Sequence, residues 1–275
     1  MKKTILALAL ALAATTMSVN AAYLDENTGE VVVPENPELL GDSARGAEDA
    51  PDPSDLTKVN SFLWGQASNK NDLKVNLGLA GAFSEGNNYM ALIEHNYNTK
   101  EKADNSRLRY FQVLDTGLTA LPQAGVSIDY MRGWGKNSSD LVAIGTIGKV
   151  ATPWESFTLF PNVAYVTGNA KHDAGKIDTT GYQANLYGSL SISDWGQYIM
   201  FQPQYMHLDS KQNQTGAKVP VDISKMKTVY GQPFTSDGKW WFDVTHEYTN
   251  TQTKEKIEDK SLNEHRFEFG VAYYF

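Results

Sequence analysis

The side chains best suited to proton transfer or metal binding are five histidines, His95, His172, His207, His246 and His265. A hydrolase built on one of them would need a Ser or Asp within hydrogen-bond reach. Asp243 stands three residues before His246, which in an extended chain sends the two to opposite faces. No nucleophile motif, metal-ligand spacing or Gly-rich phosphate loop stands out, and the chain has no cysteine. Neither catalysis nor a cofactor is expected. The spacing that does suggest a function is that of charges two residues apart, Arg107 with Arg109 and Lys225 with Lys227. Each pair points one way from a strand, and arginine forks match carboxylates and phosphates.

Lys74 and Arg266 are further bases in the same phase, with Glu94, Asp115, Asp129, Asp243, Glu247, Glu264 and Glu268 as acids. Together they would form a lining of both signs, provided that the strands carrying them share one inner face. Such a lining orients charged solutes in a hydrated pore. A lumen filled by ion pairs and hydrogen bonds accounts for the same residues. No basic patch of the kind that binds nucleic acid accompanies them.

The elements that must position these charges are strands. From Leu56 onward, segments of about ten residues alternate apolar and polar between clusters of Gly, Asn, Asp, Ser and Lys. Leu73, Val75, Leu77, Leu79 and Phe83 oppose Lys74, Asn76, Gly78, Ala80 and Ser84. Strands are predicted near 57–67, 73–84, 88–98, 106–116, 123–134, 140–150, 155–167, 181–192, 197–208, 225–232, 239–250 and 264–275. Mean hydropathy is −0.42, and apart from the N-terminus no stretch is long and apolar enough for a membrane helix. A transmembrane barrel needs none, because only alternate residues meet lipid. The fold expected is an all-β, antiparallel transmembrane barrel of about twelve strands over residues 56–275. The longest connections, Asn169 to Thr180, Ser210 to Ser224 and Thr251 to Asn263, would all lie on the outer side. Trp154, Trp195 and Trp240 mark the periplasmic turns; Tyr97, Tyr130, Tyr165, Tyr205 and Tyr248 mark the outer interface. A soluble sandwich with an aromatic core is the alternative, but it has no need of girdles at both ends.

Residues 1–21 read as a signal peptide, with basic Lys2 and Lys3, an apolar run from Thr4 to Ala14 and a small-residue cleavage site ending at Ala21. Residues 22–55 carry ten acidic residues against the single base Arg45, with four prolines. That composition predicts a disordered periplasmic tail, acting as a spacer, a docking segment or a plug in the barrel mouth. Of the formal charge of −8, the tail holds −9 and the leader +2, so the strand-rich region is almost neutral.

The last strand places His265, Phe267, Phe269, Val271, Tyr273 and Phe275 in one phase. It resembles the C-terminal recognition strand of bacterial outer-membrane barrels. That resemblance implies that Phe269, Val271, Tyr273 and Phe275 form an assembly signal, with the barrel-assembly machinery and outer-membrane lipid as partners. In size and loop pattern the chain is similar to the small monomeric porins, including the twelve-stranded acidic-oligosaccharide type. The resemblance implies an outer-membrane channel for passive diffusion of small hydrophilic solutes, in a Gram-negative bacterium. The nearly balanced lining differs from the distinctly basic lumens of acidic-sugar porins. The alternative is a closed barrel acting through its outer loops in adhesion or envelope structure.

Overall fold

The computed structural model describes residues 23–24, 31–32, 51–56, 60–134, 138–172, 175–193, 196–213, 216–235, 237–254 and 259–275. The expected signal peptide, most of the acidic tail and Trp195 lie outside the described residues. Within the tail, Tyr23–Leu24 and Val31–Val32 pair as a short antiparallel ladder.

Twelve antiparallel strands close into one barrel. They are β1 (Phe62–Ser68), β2 (Asp72–Ser84), β3 (Asn87–Asn98), β4 (Ala103–Asp115), β5 (Gln123–Gly133) and β6 (Ser139–Lys149). The second half is β7 (Phe157–His172), β8 (Gly175–Ser191), β9 (Tyr198–Gln212), β10 (Lys218–Pro233), β11 (Trp240–Lys254) and β12 (Asp259–Tyr274). Each strand pairs with its neighbours in sequence, and β12 closes on β1 through Phe269↔Ala67, Val271↔Gly65 and Tyr273↔Leu63. Closure leaves no open edge, so the ladder satisfies its own backbone groups at membrane depth.

Alternation decides the two faces. Leu63, Val75, Leu79, Ile93, Leu108, Val126, Ile144, Val163, Leu190, Val244, Phe267 and Phe269 are all exposed on the outer surface. A contiguous apolar band of this kind is untenable in water and belongs against lipid. Tyr97, Tyr165, Tyr182 and Tyr205 end the band on the outer side, and Trp154 and Phe275 are exposed at the opposite end.

The outer ends depart from expectation. The segments read as long outer loops are mostly strand: β7 and β8 pair up to His172↔Gly175, β9 and β10 up to Lys211↔Lys218, and β11 and β12 up to Lys254↔Asp259. Above the membrane the outward face of a hairpin meets water in place of lipid, so Lys176, Asp178 and Thr180 carry no apolar alternation, although their backbones remain paired.

The periplasmic connections are short. In the turn between β10 and β11, Thr235 Oγ1 donates to Asp237 Oδ1 at 2.6 Å and the Lys239 N–H to the same oxygen at 3.0 Å. Partial burial alone would raise the Asp237 pKa, but these two donors hold it below the usual value. Gly238 follows with φ of 64°, a left-handed conformation that favours glycine.

The seam that closes the barrel carries the terminal aromatics. The Tyr273 ring lies 4.9 Å from that of Trp240, and the Phe275 N–H donates to the Ser61 carbonyl at 3.0 Å. Changing Tyr273 and Phe275 together to Ser should reduce folded, heat-modifiable barrel in the membrane by at least about tenfold, while the other strands keep their pairing residues. Quantitative gel analysis of membrane fractions measures it; wild-type levels would show that these residues are not an assembly signal.

Candidate functional site: the barrel lumen

The charges assigned inward by the sequence alternate with the exposed apolar side chains of their strands, among them Val75, Ile93, Leu108, Ile128, Met226 and Phe267. Most of the charges form a belt at mid-height. Lys74 Nζ lies 3.3 Å from Glu268, Arg109 Nη2 3.7 Å from Glu94 and Lys225 Nζ 3.9 Å from Glu247. Arg107 grips Asp129 with Nε at 2.8 Å and 2.9 Å from its two oxygens. Arg266 lies 3.9 Å from both Glu264 and Glu268 and 3.6 Å from Asp72. Four bases of the belt are only partly covered, with 29% exposure at Arg107, 25% at Arg109, 32% at Lys225 and 28% at Arg266. Water therefore reaches the bases from inside the barrel. Lys227 makes no ion pair among the described residues. Asp115 stands apart at the periplasmic rim, where it accepts from Gln123 Nε2 at 2.9 Å.

Asp243 is buried on the inner wall. It accepts from Trp64 Nε1 at 2.8 Å, Gln66 Nε2 at 3.3 Å and Thr245 Oγ1 at 3.3 Å. Opposite, at Gly270, a Cβ would stand 2.1 Å from Asp243 Oδ2 and 2.4 Å from Trp64 Nε1. Gly270→Ala should therefore break the Trp64–Asp243 bond and cost about 2 kcal/mol, as for a buried charge losing a donor. The denaturant midpoint of the refolded barrel measures it, and an unchanged midpoint would contradict the packing.

Below the belt, toward the periplasmic turns, the lumen becomes apolar. Tyr198, Met200, Val229, Trp241, Ala272 and Tyr274 form one buried cluster, and Val113, Ile147 and Phe160 another. Glycines let the rings lie flat against the wall: a Cβ at Gly78 would meet the Phe62 ring at 2.5 Å, and one at Gly231 the Tyr198 ring at 2.5 Å. Leu56 packs against both clusters, so the chain preceding β1 bridges the lumen. Asp55 pairs with Lys149, and Ser54 is buried with its N–H 3.2 Å from Asp52 Oδ1. Between this segment and the belt lies a cavity of about 230 Å³.

Some of these residues escape a reading of the sequence. Asp72 is buried and accepts from Asn98 Nδ2 at 2.7 Å and Ser68 Oγ at 2.9 Å. Its phase, two residues before Lys74, is the signal that could have found it. Trp64 and Gln66 sit on the short β1, whose alternation is poor.

The histidines whose side chains are described face outward. His246 Nε2 lies 3.1 Å from His265 Nδ1, and His207 Nδ1 2.6 Å from Asp222 Oδ1. His95 Nδ1 lies 3.0 Å from Ser106 Oγ, its neighbour across the ladder, so a Ser does come within reach of one histidine. That hydroxyl also accepts from Trp134 Nε1 at 3.0 Å. No carboxylate orients His95 among the described residues, and a Ser–His pair alone is half of an acyl-transfer site.

No family profile and no curated protein sequence matches the chain. Solved structures do. The NanC porin has 12% identity and a TM-score of 0.49 over 78% of this chain and 98% of its own. The KdgM porin has 12% identity and a TM-score of 0.44 over 79% and 99%. OmpT, an outer membrane protein of Vibrio cholerae, has 10% identity and a TM-score of 0.37 over 83% and 100%. The likeness is one of barrel shape, and the functional reading rests on this chain's own residues.

Proposed function

We propose that this chain is an outer-membrane channel that lets small hydrophilic solutes diffuse passively, narrowed at its periplasmic mouth by its own N-terminal segment. The observation that carries this reading is the belt of paired charges along the inner wall, whose bases are partly solvated. A barrel closed for structure alone has little need to keep Arg107, Arg109, Lys225 and Arg266 wet, since ionised side chains are costly to hold inside a membrane. Arg107, Arg109, Lys74, Lys225, Lys227 and Arg266 would line one sign of the path, with Glu94, Asp129, Asp243, Glu247 and Glu268 lining the other. Balanced signs favour no strong ion selectivity and suit neutral or zwitterionic solutes. The signal peptide, the lipid-facing band and the aromatic terminal strand together support the outer membrane of a Gram-negative cell as its place. There Phe269, Val271, Tyr273 and Phe275 would be read by the barrel-assembly machinery.

The test is liposome swelling with sugars of increasing size. Monosaccharides should enter proteoliposomes at rates well above those of empty liposomes, and rates should fall steeply with size. Swelling no faster than in empty liposomes would overturn the proposal. A closed barrel acting through its outer hairpins is the second reading, favoured by the apolar collar packed around Leu56. It predicts no swelling even after the N-terminal segment is removed.

A further inference from the structure

The cavity between the N-terminal segment and the charged belt has two unlike ends. Its inner end holds hydrogen-bond donors that lack acceptors. Asn76 is buried, and its Nδ2 has no partner; neither has the buried Nε of Arg109. Lys227 also lines the cavity and makes no ion pair among the described residues. The acids nearby are engaged: Asp243 by Trp64, Gln66 and Thr245, Glu94 by Arg109 Nη2, and Asp55 by Lys149. Buried donors without acceptors are costly, and a site that leaves several unpaired is suited to a ligand that brings the acceptors.

The opposite end, nearer the periplasmic turns, is walled by Phe62, Phe111, Tyr198, Trp241 and Tyr274, with Leu56 and Pro53 as its floor. The strand registers fix this polarity. Lys227 lies farther from the β10–β11 turn than Val229, and Arg109 farther from the end of β4 than Phe111. Aromatic walls offer stacking to a flat ring and, apart from the hydroxyls of Tyr198 and Tyr274, no partner for the hydroxyls of a sugar. The volume of about 230 Å³ exceeds the roughly 150 Å³ of an engineered apolar cavity that takes up benzene. A ring with one short acidic substituent fits.

We propose that this cavity binds a small aromatic carboxylate, its carboxylate toward Asn76, Arg109 and Lys227 and its ring among the aromatic walls. The assignment rests on the lumen's being a solute path, since that is how the ligand would arrive. The geometry selects against either half of the ligand alone. A carboxylate without a ring leaves the walls bare, and a ring without a carboxylate leaves the donors unpaired.

The test is a titration of the folded protein in detergent micelles, read by intrinsic tryptophan fluorescence, with Trp64 and Trp241 in the cavity wall. Phenylacetate, benzyl alcohol, acetate and galacturonate are the probes. Phenylacetate should bind saturably and at least about tenfold more tightly than each of the other three, which amounts to about 1.4 kcal/mol. Lys227→Gln should weaken phenylacetate by at least about fivefold, whereas Lys225→Gln, in the belt but outside the cavity, should not. Equal affinity for benzyl alcohol or galacturonate, or no saturable binding of phenylacetate, overturns the proposal. The ligand panel on the wild-type protein decides this even if Lys227→Gln fails to fold. The titration needs no current, so a barrel that conducts but does not bind phenylacetate loses the site and keeps the channel. One that binds but does not conduct loses the channel.

Discussion

Neutralising Arg107, Arg109, Lys225 and Lys227 together should turn a nearly unselective pore into a cation-selective one. Lys74 and Arg266 would remain as the inward bases of the belt, facing Glu94, Asp129, Asp243, Glu247 and Glu268. Coulomb energies in a narrow, partly desolvated lumen exceed those in bulk water, so a net change of about 1 kcal/mol between a cation and an anion is a modest expectation. That corresponds to a permeability ratio shifted by about fivefold. The reversal potential in a salt gradient reads it directly, and the shift should shrink at high salt, where charges are screened. Gln at all four positions keeps chain length and hydrogen-bonding capacity. Heat-modifiable gel mobility establishes that the variant has folded. An unchanged reversal potential in a conducting variant would mean that these bases do not border the ion path.

The second large effect belongs to the segment across the periplasmic mouth. Removing residues 22–56 while keeping the signal peptide should leave a folded barrel, because each barrel strand keeps its ladder partners. Its conductance should rise by at least about twofold, since Leu56 no longer bridges the two apolar clusters. Burying one leucine is worth about 2 kcal/mol, roughly a thirtyfold preference for the seated segment. The full chain should accordingly show brief transitions to a higher conductance that the shortened chain lacks. Leu56→Asp should act in the same direction, because a carboxylate is costly in the collar of Phe62, Tyr198, Trp241 and Tyr274. Unchanged conductance in both variants would remove the segment from the path. A shortened chain that failed to fold would make the segment part of the core.

What the sequence discloses here follows from the period of a strand. Leu73, Val75, Leu77 and Leu79 fix the outer face of β2, and with it the inward direction of Lys74; the same logic placed Arg107, Arg109, Lys225 and Lys227. The closed barrel of twelve strands is the one expected from the count of alternating segments and short turns. Alternation fails where both faces meet one environment. The outer hairpins carry polar residues on their outward face, where Lys176, Asp178 and Thr180 meet water in place of lipid, so β7 to β12 run farther than their polar sequences suggest. At the periplasmic end the inner wall is itself apolar, and nothing in the pattern separates Phe111 or Met200 in the lumen from a residue against lipid.

Contacts between distant segments are also invisible to a periodic reading. Leu56 meets residues from across the barrel, and composition marks its surroundings only as acidic and rich in proline. Asn76 and Arg109 look satisfied in sequence; their missing acceptors emerge only when the strands are in register. The His95–Ser106 pair is of the same kind, a cross-ladder neighbour that no local spacing reveals.

An open path through the charged lumen conducts ions, and single-channel recording detects it. Residues 22–275, folded and inserted in a planar bilayer, should give discrete current steps whose size grows when residues 22–56 are removed. Folded protein that gives no steps with or without that segment would mean that the lumen is closed.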